Sequence, residues 1–412
     1  MAERLNRGPL NADPMGVPWI RPLLLTLAAA AISLAAVELG DYPAEAAASL
    51  EAIAHGDLGG FASAATPYAG SLTLRAPFVA LAGALGGDRL DLYRAGVFAC
   101  LLAAVALAIV LDRAAAGRPP AARLARTGLI LGLPLGLDAL DLGHPEEVLT
   151  ASLAVLAVWA APKRPALAGV LLGVAVACKP WALVAVGPVL LCARGARPRL
   201  LAAAGAAGLV ALAPVLADLG HSSRLAAANG ATGTLWAPFQ VWWPLGTAHH
   251  HAVPDGFGGV LDAVTWTAPG WVGTTARGLI VSLTLPLAAL AFARGRRSRA
   301  DALLLLALLL HLRCALDPWN SVYYALPAAL ALVAWSAERG DLPVAASAFT
   351  GLVWVTFNRL PQLADERALM FAGYVVWALP FAVLLAARLY GDSAERVLER
   401  RQPLAVALDP LP

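Results

Sequence analysis

Charge is scarce in this chain. Only 14% of its 412 residues are Asp, Glu, Lys or Arg, against about a quarter in an ordinary soluble domain. That shortage excludes a soluble globular protein of average make-up. Lysine is nearly missing: Lys163 and Lys179 are the two in the chain, and almost all the basic charge is arginine. The formal net charge of +3 says little about partners, and no nucleic acid is expected among them. The four cysteines, Cys100, Cys178, Cys192 and Cys314, each lie in an apolar run, and no two have CxxC spacing. They read as small core residues rather than disulfide or metal ligands. There is no P-loop, no GxGxxG after a strand, no GxSxG and no HExxH, which removes support for nucleotide-driven transport and serine hydrolysis. No internal repeat of fixed period is visible.

What the chain has is apolar length. Hydrophobic residues make up 59% and the mean hydropathy is +0.70. The expectation is an all-α polytopic membrane protein, a single transmembrane domain over 1–412. Apolar runs bounded by charge predict spans near 19–39, 92–111, 128–140, 147–161, 166–178, 181–193, 200–217, 278–293, 301–316, 322–337, 342–357 and 369–387. Met1–Pro18 reads as a short cytoplasmic tail, and Trp19–Leu39 as a retained first helix. Placing the N-terminus inside and alternating puts most of the 30 basic residues inside, in clusters such as Arg113, Arg118, Arg123 and Arg126, or Arg294, Arg296, Arg297 and Arg299. By the positive-inside rule both termini are then cytoplasmic.

Two interruptions stand out. Lys163-Arg164 and the basic stretch Arg194–Arg199 both belong inside, so the run between them must enter and return. Each arm is about 13 residues, or about 20 Å of helix, against a hydrocarbon core of about 30 Å. Lys179-Pro180 therefore reads as the tip of a hairpin, with Lys179 at the floor of an outward-facing cavity and Pro180 as the break. The short third run carries Gly132, Pro134 and Gly136, as cavity-lining segments do. Two external loops are long. The first, 40–91, is expected to hold helices at the interface. The second, 218–277, carries Trp236, Trp242, Trp243, Trp266 and Trp271, an interface-belt composition.

Ionisable groups in such a chain are functional candidates. Asp41 follows the first span, where it could be a general base on an acceptor hydroxyl or a solvated helix-end carboxylate. His144, Glu146 and Glu147 open the fourth span. Acids suit a helix N-terminus, and His144 could alternatively donate to a phosphate or sugar. Arg313 and Lys179 could clamp a phosphate, or snorkel and pair. His249-His250-His251 reads as a loop tip rather than a metal site, because adjacent histidines point different ways.

The residues Gly143-His144-Pro145-Glu146-Glu147, Leu171-Leu172-Gly173 with Lys179-Pro180-Trp181, Gln240-Val241-Trp242-Trp243, and Arg313 with Asp317-Pro318-Trp319-Asn320, Tyr323-Tyr324 and Pro327 resemble the GT-C superfamily of membrane glycosyltransferases. The likeness is greatest to the GT87-like, polyprenol-phosphate-mannose-dependent branch of actinobacteria, and it covers roughly Trp19 to Trp377. The resemblance implies a GT-C-like bundle of about ten to thirteen transmembrane helices in the plasma (inner) membrane. It implies inverting transfer of a hexose such as mannose from a polyprenyl-phosphate donor to a glycolipid or glycan acceptor, with no cofactor and no metal. It makes Asp41 the base, although Tyr42 stands where the commonest pattern has a second acid, leaving Asp57 or Asp141 as helpers. Substrate would be held by His144, Glu147, Lys179, Arg313, Tyr323, Tyr324, Arg75 and Trp243. A transporter or lipid flippase using the same buried charges is the alternative.

Overall fold

Asp88 and Ser298 start two of the longest helices in the same way. Each side chain accepts the backbone N–H three residues on, and Asp91 and Asp301 return the bond to the capping residue, which satisfies two orphan donors at each helix start. The computed structural model describes residues 19–67, 69–115, 117–193, 195–220, 234–254, 260–364 and 366–391. The expected cytoplasmic tail, Met1–Pro18, and the basic residues Arg194, Arg396, Arg400 and Arg401 lie outside them.

Helices dominate. The segment expected to be the first external loop follows α1 (Ile20–Ala35) and holds α2 (Tyr42–Glu45), α3 (Ala47–Ala54), α4 (Leu58–Ser63) and α5 (Ala69–Ala84). Then come α6 (Arg89–Ala114), α7 (Pro120–Leu131), α8 (Pro134–Asp141), α9 (Pro145–Ala160), α10 (Pro165–Cys178), α11 (Val186–Cys192), α12 (Arg197–Ala211) and α13 (Ala213–Ala217). The chain closes with α14 (Gly270–Ser282), α15 (Thr284–Ala293), α16 (Arg299–Leu316), α17 (Leu326–Arg339), α18 (Val344–Asn358), α19 (Leu360–Leu363) and α20 (Arg367–Tyr390). Among the described residues, three stretches are long and apolar enough to cross a membrane: Arg89–Ala114, the nearly continuous Gly270–Ala293, and Arg367–Tyr390.

The core is built on α9, α16 and α17. They are apolar nearly all round, and most residues of each are buried, as a helix without a polar face requires. α6 and α8 pack on α9, α20 on α16, and α18 on α17. α10 lies against α9 and α12. The approach to α12 is close because Gly173 has no side chain: a Cβ there would sit 2.0 Å from the Ala204 carbonyl oxygen, the small-residue contact common between membrane helices.

Several expectations need correction. The chain is not all-α. The second loop contains a three-stranded antiparallel sheet in the order β1-β3-β2, formed by β1 (Thr234–Leu235), β2 (Thr247–Pro254) and β3 (Val260–Thr267). β-branched and aromatic residues with no helical apolar stripe favour the extended form there. His249–His251 therefore lies on β2 and not at a loop tip, with His250 Nδ1 2.8 Å from Asp262 on β3. The loop ends earlier than expected, since α14 begins at Gly270. The run 128–140 is two helices rather than one, broken at Gly132 and Leu133. The break at Lys179-Pro180 is present, with α10 ending at Cys178 and a 3-10 turn over Pro180–Ala185. The two arms do not pair, however: α11 packs against α15 and α16, whereas α10 packs against α9 and α12.

Candidate active site

Two turns meet at the start of the site. The first, Gly40-Asp41, joins α1 to α2; the second, Leu142-Gly143, joins α8 to α9. The Asp41 amide donates to the Leu142 carbonyl at 3.0 Å. Gly143 has φ +83°, which a residue with a Cβ adopts only with strain. A Cβ there would also lie 2.5 Å from Leu39 O and 2.7 Å from the Asp41 nitrogen. Glycine at 143 thus allows the turns to touch backbone to backbone. Gly143→Ala should destabilise the protein by about 1–3 kcal/mol from the left-handed conformation alone, and by more from the clash. Gly295→Ala is the comparison, since Gly295 has φ +72° and nothing within 4 Å of its Cβ position. Equal falls in Tm for the two variants would show that the close approach contributes nothing.

From this junction runs one connected line of ionisable side chains. Asp41 Oδ2 lies 3.1 Å from His144 Nε2, and His144 Nδ1 donates to Glu146 Oε1 at 3.1 Å. Glu146 also takes Lys179 Nζ at 3.0 Å and Arg75 Nη1 at 3.8 Å. Lys179 turns from Glu146 to Glu147 at 3.8 Å, and Glu147 faces Arg313 at 3.9 Å. The two adjacent glutamates at the N-terminus of α9 therefore point different ways, with Lys179 between them. Trp181 Nε1 donates to Glu147 at 3.0 Å. Both acids are buried, where the α9 dipole favours them and paired cations offset their desolvation.

Arg313 is buried, with its guanidinium carbon 4.2 Å from the centre of the Tyr324 ring and 4.7 Å from that of Trp181. Tyr323 lays its ring 4.8 Å from the His144 ring. Arg75, only 1% exposed, has no hydrogen-bond partner for Nε or Nη2 among the described residues. Next to Glu147 opens a cavity of about 180 Å³, lined by the polar and charged Lys179, Arg277, Arg313, Asp317 and Tyr324 together with Pro180, Trp181, Leu183, Ile280 and Val281. Its lining thus mixes three cations and two carboxylates with aromatic and aliphatic side chains.

Asp41 remains 67% exposed while the His144 side chain is 5% exposed, so the line runs from water into the interior. His144 sits in the turn ahead of α9. Burial pushes its pKa down, but the hydrogen bond and charge of Glu146 outweigh that and leave it raised. The imidazole is cationic over a wider range than usual. Glu45 is raised by burial, which the charges of Lys179 and His144 only partly offset.

Eight of the nine residues singled out from the sequence stand in this cluster. Trp243 stands elsewhere, buried against Trp266 with ring centres 4.4 Å apart and Arg367 beside them. Asp57 caps α4 through Gly60, and Asp141 ends α8; among the described contacts neither is an ion-pair partner in the line. The sequence reading missed Glu45, whose carboxylate is 3.6 Å from His144 Nδ1. Its signal was spacing: it lies one helical turn after Asp41. Arg277 was also missed; it lies at the cavity beside Asp317, 4.0 Å away. No protein family, no characterised protein and no solved structure matches this chain.

Proposed function

We propose that this chain is a multi-pass membrane glycosyltransferase. It moves a hexose such as mannose from a polyprenyl phosphate to a hydroxyl of a glycolipid or glycan at the outer leaflet, with inversion. The observation that carries this reading is the unbroken line from the exposed Asp41 carboxylate to the Lys179 and Arg313 cations at the edge of a half-apolar cavity. An anion carrying a hydrocarbon tail fits such walls. Lys179 and Arg313, with Arg277 at the mouth, neutralise the phosphate as charge develops on it. Glu147 sits 3.8–3.9 Å from those two cations, a loose pairing that an incoming phosphate can share.

Asp41 takes the proton of the acceptor hydroxyl. The oxygen forms its bond to the anomeric carbon from the face opposite the phosphate. The bond from that carbon to the phosphate oxygen breaks, and its electron pair leaves with the phosphate. His144 and Tyr323 border the space beside Asp41, and Arg75 with Glu146 holds His144 in place.

A membrane setting is supported by the three long apolar helices and by large side chains left exposed on outer faces, such as Leu285, Val376 and Val383, which would be costly in water. On this reading other apolar helices outside the two short arms at Lys179-Pro180 also cross, giving about ten to thirteen spans in the plasma membrane with both termini cytoplasmic. The same cationic, half-apolar cavity would suit a lipid-phosphate flippase. The experiment is incubation of membranes containing the protein with radiolabelled polyprenyl-phosphate mannose, then with other lipid-linked sugars. Label should move to a new glycan or glycolipid. Lipid movement by reconstituted protein, with no sugar transferred from any donor, would replace this reading with the flippase.

A further inference from the structure

We propose that Asp41, Glu45 and His144 form a binding site for a divalent transition-metal ion of the zinc or manganese type. One ligand atom from each lies within 4.8 Å of the others. Metal–ligand bonds of about 2.0–2.2 Å require the donors to draw in. Both carboxylates can do so, since Asp41 is 67% and Glu45 44% exposed. Glu45 now lies beside the Nδ1 edge of the ring, so binding requires its exposed side chain to turn towards the Nε2 edge.

The histidine makes this more than a group of acids. Its side chain is 5% exposed and cannot turn freely. Nδ1 donates to Glu146, which Lys179 at 3.0 Å and Arg75 at 3.8 Å hold from behind. A carboxylate behind the ring aims Nε2 outward, towards Asp41. This is the carboxylate–histidine arrangement that fixes the tautomer and raises the basicity of a metal ligand. The ion takes the place of the Nε2 proton, which goes to water. Asp41 and Glu45 balance its charge, while Glu146 and Glu147 face Arg75, Lys179 and Arg313. The remaining coordination positions face solvent and take water. One imidazole with two carboxylates favours zinc or manganese over calcium or magnesium. The claim does not depend on glycosyl transfer. An ion there occupies the Asp41 oxygen that would accept a proton, so it would restrain that reaction.

The test uses the full chain in detergent, without an affinity tag of histidines and with His249, His250 and His251 changed to Ala to remove the exposed histidines of β2. Calorimetric titration with Zn²⁺ and Mn²⁺ should show one equivalent bound, with Mg²⁺ at least about 10-fold weaker. His144→Ala should remove that equivalent. Asp41→Asn and Glu45→Gln should each weaken it at least about 10-fold, and Glu146→Gln about 10–100-fold, with helical circular dichroism checking the fold. Zinc-edge absorption spectroscopy on the parent protein should give one nitrogen among oxygen neighbours, a readout that needs no variant. Absence of Zn²⁺ and Mn²⁺ binding in the parent, an unchanged equivalent in folded His144→Ala, or a nitrogen-free first shell would each overturn the proposal.

Discussion

Asp41→Asn is expected to lower sugar transfer about 10²–10⁴-fold, the usual contribution of a positioned base. The substitution keeps the size of the side chain and removes only its basicity. The Asp41 backbone contact to Leu142 is untouched, and the exposed side chain lies outside the packed core, so the melting temperature should stay near wild type. The rate is read with whichever lipid-linked sugar supports transfer. Asp57→Asn and Asp141→Asn should keep most of it, because neither carboxylate joins the line that leads to His144. Full turnover by Asp41→Asn would remove that residue from the mechanism, and loss in Asp141→Asn instead would move the base to the end of α8.

Lys179→Met should have the largest effect on stability, about 3–5 kcal/mol, the range found when one partner of a buried charge pair is removed. Lys179 is the cation between Glu146 and Glu147, and both carboxylates are buried. Arg75 and Arg313 remain, at 3.8 and 3.9 Å, but neither reaches both acids. Adding Glu146→Gln to Lys179→Met should restore part of the loss, because it removes the charge left without its nearest cation. The other lysine is the control: Lys163 is exposed in the turn between α9 and α10, and Lys163→Met should change stability by less than about 0.5 kcal/mol. Unfolding in detergent followed by circular dichroism measures all three. An unchanged midpoint for Lys179→Met would mean that the buried charges are not held as the distances imply.

The break at Lys179-Pro180 was legible because proline acts locally: it removes a donor and disfavours the helical conformation of the residue before it. So was the discontinuity near Gly132 and Pro134. The sheet was not, because the β-branched and aromatic residues of β3 are a weak local signal, and β2, with three histidines and two alanines, becomes a strand by pairing with it. Glu45 and Arg277 escaped notice for a related reason. One is exposed beside a short turn and the other lies along an apolar helix, and their partners, His144 and Asp317, are distant in the chain. Trp243 was grouped with the site by its position in a tryptophan-rich loop, yet it packs on Trp266 and Arg367.

By itself the sequence determined which segments are apolar enough to be helices, where prolines and glycines interrupt them, and how few charges remain to be placed. These follow from local chemistry and from the high cost of burying an ion. Only the tertiary structure decided which carboxylate meets which cation. Asp41 reaches His144 because Gly143 lets two backbone turns touch, and Glu146 and Glu147 part because successive residues of a helix point about 100° apart. Pairings across such distances depend on how whole helices dock, and no local pattern records that.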